Sequence, residues 1–143
     1  MNAARHIARL LLYLLYRVRV TGLEHFHQAS ARVLVVSNHT SFLDAVLLAL
    51  FLPGRLTFAI DPRVARLWWV RPLLRFVDVL PVDPATPLST KALIKLLKAG
   101  GKTVIFPEGR ITVTGSLMKI YEGPALVADR SAPARPTMRP LAR

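Results

Sequence analysis

The sequence predicts a single α/β domain in which helices flank a largely parallel sheet. Short β-branched runs alternate along the chain with stretches of helical hydrophobic spacing, and this alternation is typical of parallel strands joined by helical crossovers. The chain has 143 residues, of which 52% are hydrophobic. That length supports one core but is too short for two comfortable domains.

The first predicted element is a helix over residues 4–16. Its apolar segment is interrupted by Arg9 and bounded by Arg5 and Arg17, a pattern that favours an amphipathic helix at a membrane surface. The segment is shorter than the ~20 residues that span a bilayer, and its internal arginine is atypical of a signal peptide. Residues 1–20 are therefore predicted to form a membrane-associated helix.

An extended segment is expected next, over residues 18–23, followed by a polar stretch that contains His25 and His27. The two histidines alternate as in a strand or loop. Neither cysteine nor a clear carboxylate cluster accompanies them, as a metal site would require. We expect surface histidines and predict no metal site.

The apolar run at residues 34–36 predicts the first strand. Ser41 followed three residues later by Asp44 resembles a helix-capping box, so residues 41–51 are predicted to be helical. A Pro-Gly pair ends this helix before a second strand at residues 56–60.

The second half of the chain continues the alternation. A helical stretch over residues 62–75 begins with a proline, which suits a first turn. Residues 77–82 predict a third strand that a proline interrupts near its end. A helix capped by Ser89 or Thr90 and ended by a Gly-Gly pair then precedes a fourth strand at residues 103–106.

The net charge of +12 and the pI near 11.4 indicate a polyanionic partner. A mean hydropathy of +0.38, with arginines interspersed among Leu-rich and Trp-containing segments, favours a lipid surface over nucleic acid. We therefore expect a peripheral protein on the cytoplasmic side of the cell membrane and no nucleic-acid partner.

Two basic patterns are compatible with this location. Trp68 and Trp69 lie among arginines and suit a headgroup region, although two core tryptophans would look similar. Four lysines recur near helical spacing and form either a solvated face or a docking site for an anionic membrane or an acidic carrier protein. They are Lys91, Lys95, Lys98 and Lys102.

His39 and Asp44, separated by four residues, form the first candidate catalytic pair. Residues five apart in a regular helix point about 140° apart, so His39 is expected in the loop before the helix. A carboxylate can fix the tautomer of an imidazole that acts as a general base. The alternative is that Asp44 only caps the helix. Because the chain lacks cysteine, acyl transfer would be direct or use a hydroxyl nucleophile.

The segment Phe106-Pro107-Glu108-Gly109-Arg110 also follows a predicted strand. The glycine permits a positive φ or a close ligand approach, and the arginine can bind a phosphate in bidentate fashion. The alternative is an ordinary turn with a surface Glu-Arg pair. Loops at the carboxyl ends of parallel strands are where ligands bind in such sheets.

Together, the His-x4-Asp pattern and Phe106-Pro107-Glu108-Gly109-Arg110 resemble the glycerolipid (lysophospholipid) acyltransferase family. The continuation through Gly123-Pro124 is similar, more narrowly, to the acyltransferase domains of bifunctional 2-acylglycerophosphoethanolamine acyltransferase/acyl-carrier-protein synthetases. The resemblance implies a glycerol-3-phosphate acyltransferase-like fold, with the acyltransferase domain over residues 21–130.

The resemblance also implies roles for five residues. His39 would deprotonate the hydroxyl of a lysophospholipid, and Asp44 would orient the imidazole. Glu108, Gly109 and Arg110 would bind the glycerophosphate group of the acceptor. The acyl donor would be acyl carrier protein or a coenzyme A thioester, and no cofactor is implied.

The sequence departs from the family pattern in two places. One departure bears on the identity of the acceptor and the other on whether the domain is active. Asp83 is followed by proline where members acting on lysophosphatidic acid carry a basic residue, which favours 2-acylglycerophosphoethanolamine over the alternative acceptor, 1-acylglycerol-3-phosphate. Residues 131–143 form a Pro- and Arg-rich segment in place of a further strand, and we expect an irregular tail and an incomplete, C-terminally truncated domain. An inactive membrane- or carrier-binding fragment is therefore a further alternative.

Overall fold

The structure, a computed structural model, contains a four-stranded, wholly parallel sheet with helices on both faces. It describes residues 3–29, 32–75, 77–83, 86–112 and 119–132. The strands are β1 (Val33–Val36), β2 (Thr57–Ile60), β3 (Asp78–Pro81) and β4 (Lys102–Ile105). The helices are α1 (Ala3–Tyr16), α2 (Leu23–Gln28), α3 (Phe42–Phe51), α4 (Pro62–Ala65), α5 (Arg71–Leu74), α6 (Pro87–Lys98) and α7 (Gly123–Ser131).

The sheet order β1-β4-β2-β3 places β4 in the interior. Val104 of β4 is fully buried and packs with residues of β2 and α3 on one face, where α2 also contributes Phe26. Ile105 lies on the opposite face and packs against Leu93 of α6 and Val127 of α7. The predicted α/β domain with a parallel sheet is confirmed, and all four predicted strands are present.

The prediction of a strand or loop around His25 and His27 is wrong. Both histidines lie on helix α2, where they are exposed as expected, and residues 18–22 lie in no helix or strand. The helix forms because it places Phe26 against the core, beneath the ammonium group of Lys102, whose Nζ lies 4.7 Å from the ring centroid. Lys102 thus belongs to a different surface from the lysines of α6.

The helix predicted over residues 62–75 is also interrupted. Helices α4 and α5 are separated by a turn in which the Val70 N–H donates to the Leu67 carbonyl at 3.1 Å. Pro72 explains the interruption, because a continuous helix would require its missing N–H and would bring its ring against the carbonyl four residues earlier.

Helix α7 was not predicted from the sequence. Pro124 occupies the first turn of the helix, where its missing N–H has no helical partner in any case. Ser131, predicted to begin the irregular tail, is the last residue of α7. Residues 133–143 of that tail lie outside the described residues.

The predicted N-terminal helix is present as α1, and arginines attach it to α3. Arg5 Nη2 donates to the carbonyls of Ala49 and Leu52 at 2.8 and 3.3 Å, near the end of α3. The Arg9 guanidinium lies 5.3 Å from the ring centroid of Phe51. None of the helices among the described residues has the length and apolar character needed to cross a bilayer.

Candidate active site

The parallel pairing of β1 with β4 brings the two predicted motifs together. Val36 is in register with Ile105, and the Ser37 N–H continues the ladder by donating to the Ile105 carbonyl at 3.3 Å. The chain then leaves both strands at the same edge of the sheet. His39 and the Glu108-Gly109-Arg110 segment therefore meet at the carboxyl ends of adjacent strands, where ligand sites of such sheets form.

Asp44 both caps helix α3 and contacts the imidazole of His39. Its Oδ2 accepts hydrogen bonds from the Thr40 and Ser41 N–H groups at 2.6 and 2.7 Å. The Ser41 hydroxyl accepts from the Leu43 N–H at 3.0 Å, which completes the capping box. The same Oδ2 lies 3.2 Å from His39 Nδ1. The two interpretations of Asp44 are thus compatible.

The protonation of the pair follows from these contacts. Burial raises the pKa of the Asp44 carboxyl, but hydrogen bonds from Ser41, His39 and Thr40 outweigh it and hold the pKa below its ordinary value of 3.8. Asp44 is therefore ionised at neutral pH and can only accept. Nδ1 of His39 carries the proton that it donates to Asp44, which leaves Nε2 as the basic atom of the imidazole.

Aromatic rings restrict the orientation of the His39 imidazole. The ring of Phe106 stacks on it with centroids 4.0 Å apart and planes 16° apart. Phe42 presents its edge at 6.4 Å, and only 14% of the His39 side chain is exposed. The imidazole is held in position by packing as well as by its carboxylate partner.

Glu108 lies behind the histidine and is only 3% exposed. Its Oε1 accepts a hydrogen bond from the His39 N–H at 3.3 Å. The Thr112 N–H donates to the His39 carbonyl at 2.8 Å. Both backbone polar groups of His39 are thus held by the segment that follows β4.

Gly109 and Arg110 occupy more exposed positions than Glu108. Gly109 has a φ of 67°, and a Cβ at this position would lie 3.1 Å from Cε2 of Tyr121. The left-handed conformation therefore favours glycine, and a Cβ would in addition require the Tyr121 ring to shift slightly. Arg110 is exposed, and no carboxylate among the described residues pairs with it.

A cavity of about 1400 Å³ opens beside these residues. His39, Gly109 and Arg110 line it, whereas Asp44 and Glu108 do not. Much of its wall is apolar and comes from strands β2 and β4, from helices α3, α6 and α7 and from the turn before α5, including Phe58, Ile60, Val70, Leu93, Ile105 and Val127. The site thus combines one basic imidazole with a large apolar chamber.

Lys119 is a cavity-lining cation that the sequence analysis did not identify. It is exposed, and the nine-residue separation from Arg110 includes residues 113–118, which lie outside the described residues. No local pattern in the sequence marks this lysine as part of the site. Within the described residues, no group of histidine, aspartate and glutamate side chains could hold a metal ion.

The chain matches one protein-family model and two plant proteins. The protein-family model described as Acyltransferase matches residues 17–141. The chain is 30% identical over 134 residues to a chloroplastic 1-acyl-sn-glycerol-3-phosphate acyltransferase of Arabidopsis thaliana, covering 89% of this chain and 36% of that protein. A chloroplastic 1-acyl-sn-glycerol-3-phosphate acyltransferase of Brassica napus is 28% identical over 131 residues, covering 87% and 37%.

A solved structure shares the fold. The 1-acyl-sn-glycerophosphate acyltransferase PlsC from Thermotoga maritima matches with a TM-score of 0.58 and 21% identity, covering 77% of this chain and 43% of that one. The chain spans between a third and two fifths of the length of the two plant relatives. The family model covers most of the chain, including both motifs at the site. The chain therefore belongs to the acyltransferase family.

Proposed function

We propose that this chain carries an O-acyltransferase site that moves a fatty acyl group from a thioester onto the hydroxyl of a lysophospholipid. The observation that carries the proposal is the His39–Asp44 pair, whose imidazole lines an apolar cavity while its carboxylate lies behind it. The donor is acyl carrier protein or coenzyme A charged with the acyl group.

Direct transfer accounts for the chemistry. Nε2 of His39 takes the proton of the acceptor hydroxyl as its oxygen attacks the thioester carbonyl carbon. The new C–O ester bond forms, the C–S bond breaks, and the protonated imidazole returns the proton to the leaving thiolate. Asp44 stabilises the imidazolium that forms between the two steps. A positioned general base of this kind contributes about 10²–10⁴-fold to the rate.

The cations at the cavity account for binding of a phosphate. Arg110 and Lys119 both line the cavity, and a guanidinium can bind a phosphate through two parallel hydrogen bonds. Glu108 acts differently from its neighbours in this proposal. Since it is buried and accepts from the His39 N–H, it positions the base rather than binding the acceptor.

Two headgroups suit the acceptor. A phosphate monoester, as in 1-acylglycerol-3-phosphate, agrees with the names of the two plant relatives and with Arg110 and Lys119 in the cavity wall. An ethanolamine phosphodiester agrees with the resemblance to bifunctional 2-acylglycerophosphoethanolamine acyltransferases and with Asp83, a cavity-lining carboxylate that could face an ammonium group. The acceptor assay described below distinguishes them.

We also infer a peripheral location on the cytoplasmic side of the cell membrane, where the donor thioesters are available. Helix α1 has no buried residue, and apolar side chains recur along it at the spacing of one helical face. The exposed side chains of this face are Ile7, Leu10, Leu11, Leu14 and Leu15. Together with the net charge of +12, this face suits an anionic bilayer.

Radiolabelled acyl transfer tests the proposed reaction. Wild type and His39→Ala are assayed with acyl carrier protein and coenzyme A thioesters and with both lysophospholipids. We expect transfer by the wild type and a loss of at least about 10²-fold in His39→Ala. His27→Ala, which removes an exposed histidine of α2, is the matched control. Equal rates in the wild type and His39→Ala, or no transfer in any combination, would contradict the proposal and favour an inactive binding fragment.

A further inference from the structure

The turn between helices α4 and α5 places both tryptophans of the chain at its tip. The Leu67 carbonyl accepts from the N–H groups of Val70 and Arg71 at 3.1 and 3.3 Å, so Trp68 and Trp69 occupy the central positions. We call residues 67–70 the tryptophan turn. Val70 is buried and anchors it, whereas Trp68 is 81% exposed.

The tryptophan turn adjoins the candidate active site through aromatic contacts. Trp69 meets Phe42 edge to face with ring centroids 4.6 Å apart, and Phe42 in turn approaches the imidazole of His39. Phe42 and Trp69 line the cavity, but Trp68 does not. The exposed indole therefore lies beside the cavity without forming part of its wall.

The charges around the turn are all positive. Arg66 and Arg71 flank it and are exposed, and no acidic side chain among the described residues pairs with either. The segment from residue 66 to residue 75 contains no acidic residue. Indoles with nearby arginines are typical of groups that lie at the headgroup level of a bilayer.

We propose that the tryptophan turn docks into an anionic lipid bilayer, with Trp68 inserted at the headgroup level and Arg66 and Arg71 on lipid phosphates, so that the cavity receives its acceptor from the membrane. The lipid nature of the acceptor is taken from the proposed function. The docking itself does not depend on turnover. It is also separate from the apolar face of α1, which lies on another element.

Tryptophan fluorescence tests the insertion directly, because Trp68 and Trp69 are the two tryptophans of the chain. A Trp69→Phe variant leaves Trp68 as the sole indole and keeps a ring beside Phe42. It is mixed with vesicles of phosphatidylglycerol and phosphatidylcholine whose acyl chains carry bromine near the headgroup or near the terminal methyl. We expect emission at shorter wavelength and stronger quenching by bromine near the headgroup.

The second measurement compares how strongly substituted variants bind to the same vesicles. Trp68→Ala should weaken partitioning into these vesicles by roughly tenfold. Leu88→Ala, which removes a side chain that is 69% exposed on α6, should change it by less than about twofold. Arg66→Gln with Arg71→Gln should lower binding by roughly fivefold per arginine, whereas Lys91→Gln with Lys95→Gln should lower it much less.

Three outcomes would overturn the inference. Protein that sediments with vesicles while Trp68 stays unquenched would show attachment through another surface. A blue shift that rises with protein concentration without lipid would show a second copy covering the turn. Equal losses for the arginine and lysine pairs would show charge attraction alone. Trp68→Ala should still acylate a short-chain lysolipid dispersed as monomers, because this acceptor does not have to be taken from a bilayer. If the wild type fails to acylate the same lysolipid, that result contradicts the proposed function, and the quenching measurement still tests the docking.

Discussion

The carboxylate of Glu108 accepts a hydrogen bond from the backbone N–H of His39 across 69 residues of chain. This contact joins the loop after β1 to the loop after β4 at the position of the proposed base. The acidic residue of the second motif thus contacts the first motif and does not line the cavity, whereas Gly109 and Arg110 do.

Replacing Glu108 should separate hydrogen bonding from charge. Glu108→Ala leaves the His39 N–H without this acceptor in a partly buried position, so the free energy of unfolding should fall by about 1–3 kcal/mol and the transfer rate should fall as well. Glu108→Gln keeps a carbonyl oxygen and should retain most of both. Urea denaturation and acyl transfer measure the two effects. If Gln and Ala behave alike, the negative charge rather than the acceptor atom is what matters.

Asp44→Asn should reduce activity far more than stability. An amide oxygen can still accept from the Thr40 and Ser41 N–H groups, so unfolding should be easier by less than about 1 kcal/mol. The amide cannot hold the imidazolium in the same way, so the transfer rate should fall by about 10²–10⁴-fold. Asp129→Asn, on the exposed surface of α7, is the control. A rate close to wild type in Asp44→Asn would remove the carboxylate from the mechanism.

The lowered pKa of Asp44 predicts a defined acid dependence of stability. Because the folded pKa lies below the ordinary value of 3.8, the ionised carboxyl stabilises the fold at every pH above about 3.8, and this contribution is lost as the pH falls through the folded pKa. The stability difference between wild type and Asp44→Asn should therefore be constant near neutrality and shrink below about pH 3.8. Urea denaturation at a series of pH values checks this. A difference that stays the same from neutrality down to well below pH 3.8 would assign the acid dependence to another group.

Gly109→Ala should destabilise the site segment. An alanine at a φ of 67° costs about 1–2 kcal/mol, and its Cβ would press on the ring of Tyr121, a cavity-lining residue. Gly123→Ala is a matched comparison, because a Cβ there meets nothing within 4 Å. Thermal unfolding should show a lower midpoint for the first variant and little change for the second. Equal midpoints would mean that the turn relaxes freely.

The elements that the sequence predicts well are those whose cause is local. The β-branched runs of the strands and the Ser41–Asp44 capping box can be identified without tertiary information. The position of His39 in the loop before α3 follows from the same box, because five residues of helix would turn the two side chains apart.

Other features depend on contacts that no local pattern contains. Helix α2 exists because Phe26 packs in the core, and the interruption around the tryptophan turn reflects Pro72 within an otherwise helical stretch. The burial of Glu108 beside His39 requires the pairing of β1 with β4, and no local pattern places Lys119 at the cavity. The sequence motif identifies which residues belong to the site but not which of them face the substrate.

Asp44 caps helix α3 and also contacts His39, and these two roles affect which residues of the motif are retained during evolution. A descendant that lost its substrate would still need a side-chain oxygen at position 44, because the first turn of α3 depends on the same oxygen that contacts His39. Its imidazole, by contrast, makes no hydrogen bond among the described residues other than the one to Asp44. Mutational drift after loss of turnover would therefore erase the histidine first, which makes the histidine the better marker of a working enzyme.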